Sequence, residues 1–345
     1  IASTPMGALV DRIGPKKVMI GGLLLNSAAA FSLSQVQTHF QAVIVITGLN
    51  IAGQAIWPSQ SVILTRVTPE RDRPKIFGFN FMLLNLGLGL GGLLSSLIIQ
   101  RGDLLSFQIM YWVDASTFLL YLLIVLTLHG EHVNKYIPKE HEPKTGSYKD
   151  LFEIKPLMFL GIAGIILFTF GYGTIQAGIP VFATQFLGLS PKWLGIIFGV
   201  NTLSIVLFQP LVMRVIEKYS KYAALIAVGL VWALSWVFVG IAPYLPLFAS
   251  GIALSLSQFI FAVGEMIQAP TIPTLANELA PEHIRGRANS WMSLQWSVSG
   301  VLGPAITGLM LGADLATAWI ITMFIGCFLS IPLFLAMKRA AAISL

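Results

Sequence analysis

Ten stretches of this chain run for about twenty residues or more with almost no charge: 18–36, 41–65, 76–99, 108–128, 157–180, 193–213, 222–242, 246–268, 288–311 and 316–337. About 20 helical residues cross the roughly 30 Å hydrocarbon layer of a bilayer. Inside that layer backbone N–H and C=O groups must bond within their own helix or within a closed barrel, so repeated runs of this length predict a bundle of transmembrane helices. With 56% hydrophobic and 10% charged residues, against roughly 25% charged in soluble domains, the lipid bilayer is the first partner the sequence demands. A further apolar piece at 1–9 reads as the end of an eleventh span. Because the chain opens on Ile1 with no charged leader segment, the expectation is an N-terminally truncated protein.

The chain is also duplicated. Pro69-Glu70-Arg71-Asp72-Arg73 and Pro281-Glu282-His283-Ile284-Arg285 each close one apolar stretch, and they stand 212 residues apart. The same offset places Pro58 on Pro270, Leu90 on Leu302 and Gly91 on Gly303 without a gap. A long polar segment, 130–156, divides an N-terminal half (1–129) from a C-terminal half (157–345). Parallel repeats in a helical bundle point to a transporter with its site where they meet.

Charge placement gives an orientation. Alternate loops hold 19 of the 21 Lys and Arg residues, and the opposite loops hold only Arg101 and Lys192. The positive-inside rule then puts the central loop and the C-terminus in the cytoplasm. The net charge of +6 is accounted for by insertion, and no nucleic-acid partner is expected. The lone cysteine, Cys327, excludes an intramolecular disulfide, and all five histidines lie in expected loops, so no metal site is expected. No nucleophile and base within the bundle and no phosphate-binding loop can be found, which argues against an enzyme, a cofactor and direct ATP drive.

The first loop reads Gly7-Ala8-Leu9-Val10-Asp11-Arg12-Ile13-Gly14-Pro15-Lys16-Lys17. A glycine allows two helices to approach, Asp11 suits a neighbouring helix N-terminus, Arg12 suits an acid, and Gly14 suits a tight turn. This loop resembles the signature between the second and third helices of the major facilitator superfamily. The two Pro-Glu-x-x-Arg turns, the long central loop and the spacing of spans extend the resemblance over nearly the whole chain. The equivalent loop of the second half, 214–222, keeps an acid and a base in Glu217-Lys218 but has no glycine. The resemblance implies an all-α bundle of two pseudo-symmetric halves, with about ten complete helices plus a partial one here and twelve in a parent that carries the transport activity. It further implies a monomer that moves a small-molecule substrate by alternating access, around a cavity lined mainly by the first, fourth, seventh and tenth helices. Gly7, Asp11, Arg12, Gly14, Arg66, Arg73 and Arg285 would form a cytoplasmic gate, with Arg66 either a partner of Asp11 or a basic flank of the cytoplasmic side.

Polar groups within apolar helices supply the remaining candidates, since they are costly in hydrocarbon unless paired or wet. Glu265 is the sharpest, a carboxyl fit to carry a coupling proton or to pair with a cationic substrate. Gln258 and Gln268 share its helix face. Asn50, Gln54 and Trp57 fall at i, i+4 and i+7 on the expected fourth helix, and Phe168, Tyr172 and Gln176 repeat at i+4 on the seventh. Asn201 and the pair Trp291 and Gln295 complete the cavity candidates. Hydrogen bonding between helices or aromatic packing is the alternative for each of them.

The glycines 87, 89, 91 and 92 resemble an antiporter signature, but Gly91-Gly92 stands where that signature has Gly-Pro, and Ile46 stands where proton-coupled members often carry arginine. The resulting expectation is a secondary transporter of the inner or plasma membrane most similar to bacterial drug:proton antiporters, exporting amphipathic or drug-like molecules on the proton gradient. An uptake carrier or uniporter for a small metabolite is the alternative, and a non-transporting receptor or scaffold on the same fold is the third class.

Overall fold

The computed structural model describes residues 3–99, 103–129 and 147–343. Most of the expected central loop (130–146, with His132 and His141), Arg101 and the first two residues lie outside them. Every regular element among the described residues is a helix. In chain order the helices are α1 (Ser3–Ile13), α2 (Pro15–Leu33), α3 (His39–Val67), α4 (Arg73–Ile98), α5 (Leu104–Thr127), α6 (Tyr148–Glu153) and α7 (Lys155–Phe170). They continue as α8 (Tyr172–Val181), α9 (Lys192–Ile216), α10 (Lys221–Ile241), α11 (Leu247–Leu279), α12 (Arg285–Gly312) and α13 (Ala316–Ile343). Eight helical runs among the described residues are long and apolar enough to cross a membrane. The expected stretches 18–36 and 76–99, covered by α2 and α4, are not among those eight.

Local chemistry explains the boundaries. Thr38 and Gln41 form a reciprocal cap on α3, the Thr38 hydroxyl accepting from Gln41 N at 3.2 Å and Gln41 Oε1 accepting from Thr38 N at 3.1 Å. Asp103 caps α5 and Ser220 caps α10. Gly14 turns the chain between α1 and α2 at φ 95°, a conformation that favours glycine. Both Pro-Glu-x-x-Arg sequences fold alike: a proline, one 3₁₀ turn (Glu70–Asp72 or Glu282–Ile284), and an arginine opening the next helix.

The span expected at 157–180 is broken at Gly171, between α7 and α8, and runs on through a π turn at Phe182–Phe186. The span expected at 246–268 continues to Leu279 despite Pro270 and Pro273. A proline inside a helix strips the donor from the carbonyl four residues back. For Pro270 that carbonyl is Met266 O, and Gln209 Nε2 of α9 supplies the missing donor at 3.0 Å.

The described chain divides into two compact units. The first comprises 1–73, 87–151 and 280–293, and the second 74–86, 152–279 and 294–345. In the first, α2 packs against α3 and α5 around Met19, Leu23, Ile56, Ile63 and Val125. In the second, α10 packs against α11 and α13, α9 against α11, and α7 against α13. Leu88, Leu104, Val301 and Leu309 are among many large apolar side chains left exposed, as suits a surface whose solvent is lipid.

Candidate functional site

Each unit brings polar side chains of distant helices together. In the first unit α1 meets the opening of α12. Asp11 accepts hydrogen bonds from the backbone N–H of Gly286 at 2.7 Å and of Arg287 at 3.2 Å, and from Arg287 Nη1 at 2.6 Å. The carboxylate thus sits on free amides at a helix N-terminus, where the dipole favours negative charge. Both side chains of the ion pair are buried. Burial pushes the Asp11 carboxyl up to about 6, against the opposing pull of the Arg287 guanidinium and the two amides. On its other side Arg287 lies 5.8 Å from the Tyr148 ring of α6, whose phenol burial pushes up to about 12. Gly7 is what permits this approach: a Cβ there would run into the Ser290 hydroxyl and Gly286 O.

Around this clamp, Arg66 pairs with Glu282 at 3.5 Å. Arg73 is buried, bonding Thr65 O at 3.3 Å and Glu70 at 3.2 Å, and Arg285 lies in the fields of Glu282, Arg73, Arg66 and Glu70. Ser61 donates to Asn289 at 2.6 Å. Two expectations change. The ion-pair partner of Asp11 is Arg287, whereas Arg66 goes to Glu282. Arg12 is exposed and makes no ion pair among the described residues, because it points away from the face of α1 that Gly7 and Asp11 share.

The second unit contains a looser counterpart. Lys75 pairs with Glu217 at 3.5 Å, both half-exposed, and Lys75 and Arg287 differ by the 212-residue repeat. The sequence lacks a glycine four residues before Glu217, where Met213 stands. The structure has the glycine on the facing helix instead: a Cβ on Gly78 would strike the Met213 thioether. The absence of a glycine in 214–222 therefore does not remove the close approach.

The second constellation centres on Glu265 in α11, which is 5% exposed. Asn201 Nδ2 of α9 donates to its carboxylate and lies 3.5 Å from Gln258 O. The Tyr172 hydroxyl of α8 is a second hydrogen-bond partner of Glu265, and Gln268 Nε2 donates to that hydroxyl at 3.4 Å. Among the described residues Glu265 has no cationic partner. Gln258 is buried with Nε2 unbonded.

An aromatic wall surrounds this network. Tyr172 meets Trp232 at 5.1 Å and Phe261 at 5.4 Å edge-on, and Trp296 at 4.5 Å in a tilted arrangement. Phe168 lies against Tyr172 and Trp296, and Trp232 stacks on Phe261 at 4.4 Å. Trp232 is wedged where Gly171 and Gly264 leave no Cβ, its indole N–H bonding Phe261 O at 3.0 Å. The helix break at Gly171 and this ring occupy the same space.

The sequence candidates thus separate. Phe168, Tyr172, Asn201, Gln258, Glu265 and Gln268 come together. Gln295 is buried, donating to Leu160 O at 3.3 Å and filling the space that Gly164 leaves. Gln176 is exposed. Asn50 is exposed and bonds its own helix at Ile46 O, 2.8 Å away, Gln54 has a buried unbonded Oε1, and Trp57 is half-exposed. Those three and Trp291 belong to the first unit. Sequence reasoning missed Arg287, Glu282, Trp232, Phe261 and Trp296. The 212-residue offset from Lys75 was a signal for Arg287, while the indole and phenyl groups carried none, since nothing local distinguishes them from core.

A bundle of membrane-length helices with a buried carboxylate in one of them and an acid clamp at a helix N-terminus defines a multi-pass membrane protein of the transporter class. The chain matches the model of the Major Facilitator Superfamily over residues 1–244 and 187–342, and it belongs to that superfamily. Among curated relatives it is 22% identical over 331 residues to the uncharacterized MFS-type transporter YttB of Bacillus subtilis, covering 94% of this chain and 79% of that one. It is 23% identical to Multidrug resistance protein 1 of B. subtilis (91% and 78% covered) and 22% identical to the quinolone resistance protein NorA of Staphylococcus aureus (88% and 75%). Among solved structures the fold is similar to the human organic anion transporter MFSD10, with a TM-score of 0.76 at 15% identity over 96% of this chain and 80% of that one. It is also similar to the E. coli fucose:proton symporter FucP, with a TM-score of 0.73 at 14% identity over 99% and 87%. These are transporters, and the chain is not an enzyme.

Proposed function

We propose that this protein is a proton-coupled secondary transporter that exports amphipathic, drug-like molecules by alternating access, with Glu265 as the residue that takes up and releases the proton. The observation that carries this reading is a buried carboxylate within a membrane-length helix, held by the neutral donors of Asn201 and Tyr172 and balanced by no cation among the described residues. A permanent charge there is expensive, whereas a group that exchanges a proton is not. The halves 1–129 and 157–345 would rock about the site, the clamp of Asp11 and Arg287 releasing and reforming in each cycle. Under the same reading the chain is a monomer in an inner or plasma membrane, with the central loop and C-terminus cytoplasmic. The multidrug and quinolone resistance proteins among the relatives support export.

The test is proton flux in proteoliposomes holding the protein expressed from its native reading frame, with lipophilic cationic dyes or small polar metabolites added in turn. Dye-driven proton movement that disappears in Glu265→Gln, with the variant still inserted, is the expected result. Flux with metabolites alone would turn the reading to uptake, and flux that Glu265→Gln leaves intact over a pH series would remove Glu265 from coupling.

A further inference from the structure

Away from both constellations, where α7 begins and α13 ends, the second unit carries a groove of about 500 Å³. Lys155 and Phe159 line it from one turn of α7, and Pro332, Leu335, Ala336 and Arg339 line it from one face of α13, at i, i+3, i+4 and i+7. The two helices pack directly against each other. The groove is polarised along its length, with two cations at one end and an apolar floor leading away from them. Lys155 opens one membrane-length run and Arg339 stands near the close of another, Ala316–Ala342, which puts the cations at the boundary between hydrocarbon and headgroups. Among the described residues neither makes an ion pair or a side-chain hydrogen bond. Leu335 is 41% exposed.

We propose that this groove is a binding site for an anionic phospholipid, its headgroup phosphate between Lys155 and Arg339 and one acyl chain along Phe159, Pro332 and Leu335. Basic pockets between membrane helices are suited to such headgroups. Two cations side by side select an anionic headgroup over a zwitterionic one, because the latter brings its own ammonium to the same place. The apolar floor selects a lipid over a soluble phosphate ester, since it is continuous with the hydrocarbon and gives a headgroup alone nothing to hold. Long cationic side chains at a helix end also reach the interface readily.

Native mass spectrometry of the protein released from vesicles of phosphatidylglycerol and phosphatidylcholine tests the site. Phosphatidylglycerol should be retained preferentially. Lys155→Gln with Arg339→Gln should reduce that retention about 25-fold, from about fivefold for each basic residue near a membrane surface. Ala336→Trp keeps both charges but fills the groove and should also displace the lipid, whereas Lys338→Gln, outside the groove, should not. Equal retention in the double variant or in Ala336→Trp would overturn the site, and so would glycerol phosphate competing as well as the intact lipid. The readout does not depend on transport, so its failure is separable from failure of the proposed function.

Discussion

The Asp11 clamp should be proton-linked, with a sign and size set by its burial. The clamped carboxyl lies at about 6 against 3.8 for a free one, so the clamped state binds the proton more tightly. Between pH about 4 and about 6 clamping therefore takes up a proton. Its stability is complete below that window and falls as pH rises through about 6. A difference of about two units corresponds to roughly 3 kcal/mol, or about 10²-fold in the clamping equilibrium. The Gly286 and Arg287 amides report on it directly, because both donate to Asp11. Their hydrogen exchange, corrected for intrinsic rate and measured in lipid nanodiscs from pH 4 to 8, should lose about two orders of magnitude of protection by pH 7 and then level off. Asp11→Asn cannot titrate, keeps one acceptor for an amide, and should hold protection near the acid plateau at every pH. In proteoliposomes the same variant should bias the gate and slow turnover more than it weakens substrate affinity. A flat wild-type profile, or an Asn variant with the wild-type slope, would refute the reasoning.

Gln209→Leu should lower stability by about 1–3 kcal/mol, since it leaves Met266 O without the donor that Pro270 cannot provide. The thermal midpoint in detergent measures this, and no shift would mean the carbonyl has another partner. Glu217→Gln should change stability by less than about 1 kcal/mol, because its pair with Lys75 is half-exposed. A loss as large as that of a buried pair in the same assay would show that this contact carries more than its exposure suggests.

The architecture was legible because bilayer physics leaves few options. Ten nearly uncharged runs pointed to a helical bundle, in which eight helices among the described residues are long and apolar enough to cross a membrane, and the 212-residue repeat located two turns that do fold alike. Helix interruptions were not legible. Gly171 reads as an ordinary residue in an apolar run, and its meaning depends on Trp232 arriving from α10. The site was half legible for a similar reason. Glu265, Gln258, Gln268, Asn201 and Tyr172 stood out as polar groups in costly surroundings, whereas Trp232 and Phe261 are apolar residues in apolar helices. Pairing was harder still. Periodicity places Asp11 on a helix face, but the choice between Arg66 and Arg287 as partner is a matter of ångströms between segments far apart in sequence.

The two acid–base contacts reach a close approach of helices in different ways. In the first unit the glycine lies on the acid's own helix, Gly7 four residues before Asp11, and faces Ser290. In the second, Met213 stands four residues before Glu217, and the glycine is Gly78, at the position equivalent to Ser290. One small residue per contact is enough, since only one Cβ must be absent for two backbones to close. The choice of side fixes what else fits. With Gly7 small, Asp11 sinks onto the amides of Gly286 and Arg287 and becomes buried; with Met213 bulky, Glu217 reaches Lys75 only at a half-exposed rim. Burial moves the Asp11 carboxyl toward neutrality, so keeping the glycine on the acid's own helix is what makes this contact responsive to protons.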